Sequence, residues 1–484
     1  MNVLLITLDQ FRGDCLSIKG HPVVRTPNLD RLASSGILLG RHYSQAAPCS
    51  PGRACLYTGT YQFNNRVVGN GTPLDDRFDN VARAGLRAGY RPTLFGYSDQ
   101  GIDPRVASGP DDPRLSTYEG VLPGFDIGLE LVDDQGPWLR WLAELGYDVG
   151  EDALGALASE PERPAEHGIS AFLTDRLLDW LGRQDGPWFA HASYWRPHDP
   201  YAAAGHWAAA YDPDDMVDPI PLPDRPLPFA GHLAEFAAPA GTELRAVQAQ
   251  YYGMVSSVDE QLGRLWDGLA ELGMWDDTFI VVTSDHGEQL GDQGILGKGG
   301  FFEPSYYIPG IVRDPRHPEA HGRIVQAFTE NVDVLPTLCE AMGIEVPSQC
   351  DGMPLTPFLA GVDPPWWRDA AHWEYDWRWE KILFGPHLWP WDRRLERQNL
   401  AVLRSESLSY VQFGNGDWRC FDLAADPTWR TEIDDPAIVM GSAQSMLAWR
   451  ASHADRLFTD MLLIDGGVGR VPVPPPGSTG ALTR

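Results

Sequence analysis

The stretch Val3-Leu-Leu-Ile-Thr-Leu8-Asp9 is an almost unbroken apolar run closed by an acid. Strands wetted on one face alternate, whereas strands covered on both faces do not. The run therefore reads as a buried strand of a parallel sheet with a carboxylate at its carboxyl end. That is the edge at which open α/β sheets bind ligands. Phe279-Ile-Val-Val-Thr283 repeats the pattern and also runs into acid, as Ser284-Asp285-His286-Gly287. Between the two, Thr26-Pro27 opens a short helix that stops at Gly36. Val81 to Ala88 reads as a helix feeding a strand at Thr93 to Tyr97, and Ala171 to Leu181 as a helix feeding a strand at Trp188 to Ser193. Thr242 caps a long amphipathic helix, with Leu244, Val247, Tyr251, Met254, Val258 and Leu262 at helical spacing. The alternation predicts an α/β fold: a large, mostly parallel sheet flanked by helices.

Two stretches break the pattern. Pro213, Pro219, Pro221, Pro223, Pro226 and Pro228 exclude regular helix and central strand, so they predict an extended surface loop on one rim of the cleft. Beyond Pro365 the texture changes, with seven tryptophans between Trp366 and Trp391 and alternating segments around the hairpin signal Asn415-Gly416. The expected organisation is a catalytic α/β domain over 1–365 and a smaller α+β domain with an antiparallel sheet over 366–470. The latter closes on a helix from Ala443 to Phe458, and an extended tail follows over 471–484. No internal repeat is visible.

The chain has 484 residues, of which 43% are hydrophobic, enough for a substantial core. No window approaches the roughly 18 apolar residues of a membrane span. Asp and Glu number 67 against 38 Lys and Arg, a net charge of −29, and only three of the cations are lysines: Lys19, Lys298 and Lys381. Such a field repels polyanions, which excludes nucleic acid as a partner, and a small anionic substrate needs a local positive patch. The six cysteines show no paired spacing, and Val3 to Leu8 has no basic region before it and no cleavage site after it. These features predict a reducing cytoplasmic location, although the even cysteine count leaves disulfides open.

The sharpest motif is Cys49-Ser50-Pro51-Gly52-Arg53, followed by Thr58-Gly59. Chance would give C-x-P-x-R about 0.04 times in a chain of this composition. With Pro51 as first helical residue, Cys49 sits at the mouth of a helix N-terminus, where free N–H groups and the dipole favour an anion. Arg53 is then placed to hold the same ligand. Asp9 and the Asp285-His286 pair, at the ends of two strands, offer oxygen and imidazole donors to one hard or borderline divalent cation and can converge on Cys49. Gln10 adds an amide oxygen. Lys298 stands thirteen residues after Asp285 in a chain that otherwise uses Arg. Its position suggests that a compact ammonium is wanted to bridge nucleophile and transferring oxygens.

These residues resemble the formylglycine-dependent sulfatases of the alkaline phosphatase superfamily. The resemblance implies that a formylglycine-generating system oxidises Cys49, whose hydrated aldehyde attacks sulfur or phosphorus and also joins the metal ligands. It implies one divalent ion, Mn²⁺ or Ca²⁺, with Zn²⁺ accepted by subsets of the same ligands. His198, in Tyr194-Trp-Arg-Pro-His-Asp-Pro200, resembles the family's loop histidine that meets the leaving-group oxygen as general acid. Asp285-His-Gly-Glu-Gln-Leu-Gly-Asp292, Asn331-Val-Asp-Val-Leu-Pro-Thr337 and His372-Trp-Glu-Tyr-Asp-Trp-Arg378 resemble the phosphonate monoester hydrolase branch, as do Trp449-Arg450 and His453-Ala-Asp-Arg456. That likeness spans nearly the whole chain. It implies a pocket lined by Asn70 and Tyr97 and a homo-oligomer, dimer or tetramer. Where that branch carries Thr two residues after Tyr97, this chain has Asp99, and a carboxylate there disfavours anions unless it is paired or turned away.

Sulfate monoesters, phosphonate monoesters and phosphodiesters each carry one negative charge, and one cation with Lys298 and Arg53 serves any of them. Phosphate monoesters suit two-metal sites, and no second ligand set is evident; Asp333 reads as a helix-start acid. The expected activity is hydrolysis of sulfate monoesters, aryl sulfates in particular, with promiscuity toward phosphonate monoesters and phosphodiesters. One alternative reverses that order. A further one is a non-catalytic anion binder in which Cys49 stays a thiol.

Overall fold

Strand β1 (Asn2–Leu8) is buried along its entire length in the middle of an eight-stranded sheet. The computed structural model describes residues 1–132, 134–223, 225, 228, 236–378, 397–454, 461–464 and 467–470. The other strands of the sheet are β2 (Ile37–Tyr43), β3 (Thr93–Gly96), β4 (Asp126–Glu130), β5 (Phe189–Tyr194), β6 (Thr278–Thr283), β7 (Ile311–Arg313) and β8 (Arg323–Glu330). The order is β4-β3-β5-β1-β6-β7-β2-β8, parallel throughout except β7, which is antiparallel to both neighbours. Helices cover both faces, which is why β1 shows no alternation. Leu4, Ile6 and Leu8 pack with helices Ile169–Leu181 and Thr242–Glu271 on one side. Val3 and Leu5 pack with helices Cys49–Thr58 and Val334–Met342 on the other.

Helix starts depart from the expected caps. Thr26 does not cap helix Pro27–Ser34, because its hydroxyl is engaged by the Ser17 amide at 2.9 Å. The first amides of that helix, Asn28 and Leu29, donate instead to Asp259 of the long helix, at 3.1 and 2.8 Å. The long helix starts at Thr242 with Gly241, at φ 59°, in the cap position. Asp333 does open a helix: with Glu330 it forms a reciprocal capping box, and Arg368 grips its carboxylate. From the proline-rich stretch, Pro213 starts a short 3₁₀ turn (Pro213–Asp215), and Ile220 pairs with Asp292 and Gln293 at 2.7 and 2.6 Å.

A second, antiparallel sheet has the order β12-β11-β10-β9, from β9 (Ala370–Asp376), β10 (Asn399–Ser405), β11 (Leu408–Phe413) and β12 (Trp418–Asp422). Asn415-Gly416 makes the β11–β12 turn, with Gly416 at φ 98°. Trp373, Trp377 and Trp429 are buried with Phe301, Phe302 and Tyr306 between this sheet and the rest of the chain. β9 runs beside residues 44–46: Ala46 bridges Glu374, whose amide donates to Gln45 O at 2.9 Å. The closing helix spans Pro436–His453, beginning seven residues before Ala443, since Asp435 caps the Ala437 and Ile438 amides and Pro436 takes the first position. Its expected end at Phe458, the tail over 471–484, and Lys381, Trp379, Trp389 and Trp391 lie outside the described residues. The six cysteines are free, and no described helix is long and apolar enough to cross a membrane.

Candidate active site

Asp9 follows β1 directly, and Asp285 stands two residues beyond β6; since β1 and β6 are neighbours, the two acids emerge side by side. Ser284 fastens the two ends, donating to Leu8 O at 2.5 Å and accepting from the Phe11 amide at 3.0 Å. Helix Cys49–Thr58 then presses its first turn onto this junction. A Cβ on Gly52 would sit 2.4 Å from Asp285 O and 3.0 Å from Ala46 O, so only glycine permits the approach. Cys49 is the first residue of that helix and Pro51 the third, two positions from where the sequence placed the start. Pro51 remains within the first turn, where its missing N–H costs nothing.

The donor atoms of Asp9, Cys49, Asp285 and His286 all lie within 4.8 Å of one another, and all four residues are buried. Cys49 Sγ is 3.2 Å from His286 Nε2. His286 Nδ1 is 3.0 Å from Gly287 O, which assigns its proton there and leaves the Nε2 lone pair facing the cluster. Burial pushes His286 down to about 4 and keeps it neutral. Burial alone would raise Asp9, but His198, Arg53, His286 and Lys298 outweigh it and hold the carboxyl below its ordinary range. Asp9 Oδ1 nevertheless has no hydrogen-bond partner among the described residues. A buried, ionised and orphaned oxygen beside a second carboxylate and an imidazole lone pair fits a divalent cation. The thiol is a poor nucleophile as it stands, since burial, with Asp9 and Asp285 nearby, pushes it well above the usual thiol range.

Arg53 takes a different part from the one expected. Its guanidinium is fully buried and turned to the protein: Nε donates to Asp285 Oδ2 at 2.9 Å, Nη2 to Asp9 Oδ2 at 3.0 Å and Nη1 to Ser193 Oγ at 2.8 Å. Its N–H groups bridge the two carboxylates and set their spacing. Tyr97 stands on the same side, its hydroxyl donating to Asp9 Oδ2 and its ring 4.3 Å from the guanidinium carbon. Asn70 accepts from the Ser50 amide at 3.0 Å, satisfying one of the first-turn N–H groups of the helix. Both residues border the cluster with these groups already engaged.

The opposite wall carries the remaining cations. Lys298 Nζ donates to Gln10 Oε1 and to His198 Nε2, each at 2.7 Å. Burial opposes the ammonium, but the carboxylates of Asp9, Asp199 and Asp285 raise it and keep it charged. His198 Nδ1 lies 2.8 Å from Asp199 O, so Nε2 is the nitrogen turned to the site. Its side chain is 18% exposed and marks the open side. Gln10, held at φ 63°, thus directs its amide oxygen to the ammonium. Asp99 is 2% exposed with Oδ2 unpartnered, and burial, against the pull of Arg53, raises its carboxyl well above the usual range. Burial thus favours its uncharged form, which weakens the repulsion expected of a carboxylate at this place.

Sequence reasoning missed two residues. Gly52 carried a signal, for a glycine in a helical first turn costs about 1 kcal/mol against alanine and needs a reason. Glu288 carried none beyond its place in Asp-His-Gly-Glu. Fully buried, it accepts from Leu290 N and Gly297 N at 2.7 Å each, from Gln10 Nε2 at 2.5 Å and from Tyr201 Oη at 3.1 Å.

Strand-end acids, a helix N-terminus closing on them and a facing ammonium define a hydrolase site of the alkaline phosphatase superfamily, and the chain belongs to the sulfatase family. The sulfatase domain signature matches residues 1–344, and one described as N-sulphoglucosamine sulphohydrolase, C-terminal, matches residues 291–439. The multifunctional alkaline phosphatase superfamily protein PehA of Trinickia caryophylli is 37% identical, over 95% of this chain and 96% of its own. The phosphonate monoester hydrolase of Agrobacterium radiobacter superimposes with a TM-score of 0.87 at 41% identity, covering 97% of this chain and 99% of that one. An arylsulfatase of Clostridium perfringens is 27% identical over 89% of this chain and 90% of its own.

Proposed function

We propose that the protein hydrolyses phosphonate monoesters and phosphodiesters as its main activity, with sulfate monoesters, aryl sulfates among them, as secondary substrates. The observation that carries an ester-hydrolase reading is the single four-residue donor cluster at the helix N-terminus of Cys49, faced by Lys298 and His198. One cluster of this kind occurs among the described residues, which suits a monoanion rather than a phosphate monoester. Full-length likeness to a phosphonate monoester hydrolase at 41% identity, against 27% to an arylsulfatase, supports placing phosphonate first, the reverse of the order expected from sequence.

Asp9, Asp285 and His286, with Gln10 and residue 49, would hold one divalent ion. With the aldehyde form of residue 49, made by a generating system, the ion supplies an acidified oxygen nucleophile and neutralises substrate charge. The chain's own groups do the rest. Arg53 sets the spacing of the two carboxylates. Lys298 offers the compact positive charge that receives a transferring oxygen. Lys298 Nζ donates to His198 Nε2 while the Asp199 carbonyl fixes the other ring nitrogen, so Nε2 is the atom placed to pass a proton to the leaving oxygen. Burial of Asp99, by favouring its uncharged form, eases the approach of a monoanion.

The test compares one aryl leaving group carried on phosphonate, phosphodiester and sulfate. Metal analysis and peptide mass spectrometry at Cys49 are run on the same sample. The expected order of kcat/KM is phosphonate and phosphodiester above sulfate, with residue 49 having exchanged sulfur for oxygen and lost hydrogen, and turnover of all three lost in Cys49→Ala. Sulfate at the head would restore the arylsulfatase reading. An active sample with an intact thiol would overturn the nucleophile.

A further inference from the structure

Glu288 joins three segments that carry site residues. Its Oε1 takes two backbone donors, Leu290 N and Gly297 N, the second adjoining Lys298. Its Oε2 takes the Gln10 amide nitrogen and the hydroxyl of Tyr201, three residues beyond His198. The two backbone N–H groups can only donate to Oε1, and the Gln10 amide nitrogen, whose oxygen is taken by the Lys298 ammonium, can only donate to Oε2. The arrangement leaves the Gln10 carboxamide one orientation: Nε2 faces a pure acceptor and Oε1 faces a pure donor, the Lys298 ammonium.

Resting on the reading of this site as a metal-assisted ester hydrolase, we infer that Glu288 is a positioning residue whose carboxylate fixes the polarity of the Gln10 amide and turns Oε1 inward. Oε1 must face that way both to accept from Lys298 and to serve a cation as an oxygen donor. The consequence is a relay of donor and acceptor polarity from Glu288 through Gln10 and Lys298 to His198. In Glu288→Gln the two backbone N–H groups, which cannot turn, keep the new amide oxygen on their side. The new NH₂ therefore points at Gln10. Gln10 must flip to accept from it, and its own NH₂ then meets the Lys298 ammonium, donor against donor. The Tyr201 hydroxyl escapes by rotating.

A second change restores the pattern. In Gln10→Glu with Glu288→Gln, residue 10 accepts from both the new amide and Lys298, with the negative charge moved one residue along. Gln10→Glu alone sets two carboxylates against each other. The experiment is this double-mutant cycle, read in kcat/KM on an aryl phosphonate with metal present and, separately, in the thermal midpoint. Expected are a roughly 10–100-fold fall in kcat/KM for Glu288→Gln, carried by kcat, with a lowered midpoint. The double variant recovers about tenfold of that loss and regains the midpoint. If Glu288→Gln is insoluble, the double variant is compared with Gln10→Glu and must exceed it in both readouts. Effects that simply multiply, or a double variant no better than Gln10→Glu, would mean that Glu288 only braces the 290–297 loop and would overturn the inference. A wild type inactive on every ester defeats the reading of the site, whereas the thermal cycle still decides the role of Glu288.

Discussion

Arg53 shows how a residue can be recognised from sequence while its direction is not. The pentad singles it out, and a cation in the first helical turn beside a candidate anion site reads as a ligand grip. Which way a guanidinium turns is decided by groups 44 and 232 positions away, Asp9 and Asp285, and their placement is a property of the assembled sheet. The fork geometry matters, because one planar group meets two carboxylates and Ser193 at once, which an ammonium cannot do. Arg53→Lys therefore keeps the charge and loses the spacing. A fall in kcat/KM of about 100-fold is expected, with weakened metal retention on dialysis; an unchanged metal content would show that the carboxylates hold their positions unaided. Asp9, Asp285, His286, Lys298 and His198 were legible because each adjoins a strand end or a distinctive motif. Glu288 was not, because its four partners come from three separate segments.

At the scale of elements, β1 and β6 were readable to within a residue, since covering both faces forces an unbroken apolar run. Helix starts were less so. Thr26 and Thr242 look like caps, but Asp259, from another helix, satisfies the amides that Thr26 would have served. The closing helix starts on the local cap-and-proline pair Asp435-Pro436, ahead of the apolar spacing that begins near Ala443. The contact of helix Cys49–Thr58 with the end of β6 depends on Gly52, whose nearest would-be neighbours are backbone oxygens that cannot yield. Gly52→Ala must lift the helix away from Asp285. Displacing a reacting group by about 1 Å costs on the order of 100-fold in rate, and overpacking costs about 1–3 kcal/mol of stability. The expected variant is folded, with a lower thermal midpoint and kcat down by that factor. Wild-type kcat would show that the helix position is not critical.

For the whole molecule, acid tolerance is set in part by buried neutral imidazoles. His42, between Thr329 and Asn331, and His191, between Tyr57 and Leu5 O, are both pushed by burial to about 3. The unfolded chain protonates these rings near 6.5, so between 6.5 and 3 it takes up protons that the folded chain refuses. Stability in that window rises with pH and is lost on acidification, by up to about 1.4 kcal/mol per pH unit for each histidine. Urea midpoints measured from pH 7 to 5 should fall, with a shallower slope in His42→Gln; equal slopes would refute the assignment. The net charge of −29 was readable from composition, and so was the need for a concentrated positive well. The bracing of the site by the second sheet was not, because it depends on how the two sheets meet.

That bracing has a consequence in time. β9 lies some 320 residues after the pentad along the chain, yet it pairs with residues 44–46, and Trp373 hydrogen-bonds Phe301 O just beyond Lys298. Once these contacts form, Cys49 is only 6% exposed, at the root of a packed helix. A separate oxidising catalyst would have to admit an extended segment carrying that thiol into its own cleft, which the finished globule does not offer. Under the proposed reading, conversion of Cys49 would belong to the interval between synthesis of the pentad and arrival of β9, and a chain that folded ahead of its modifier would remain a thiol.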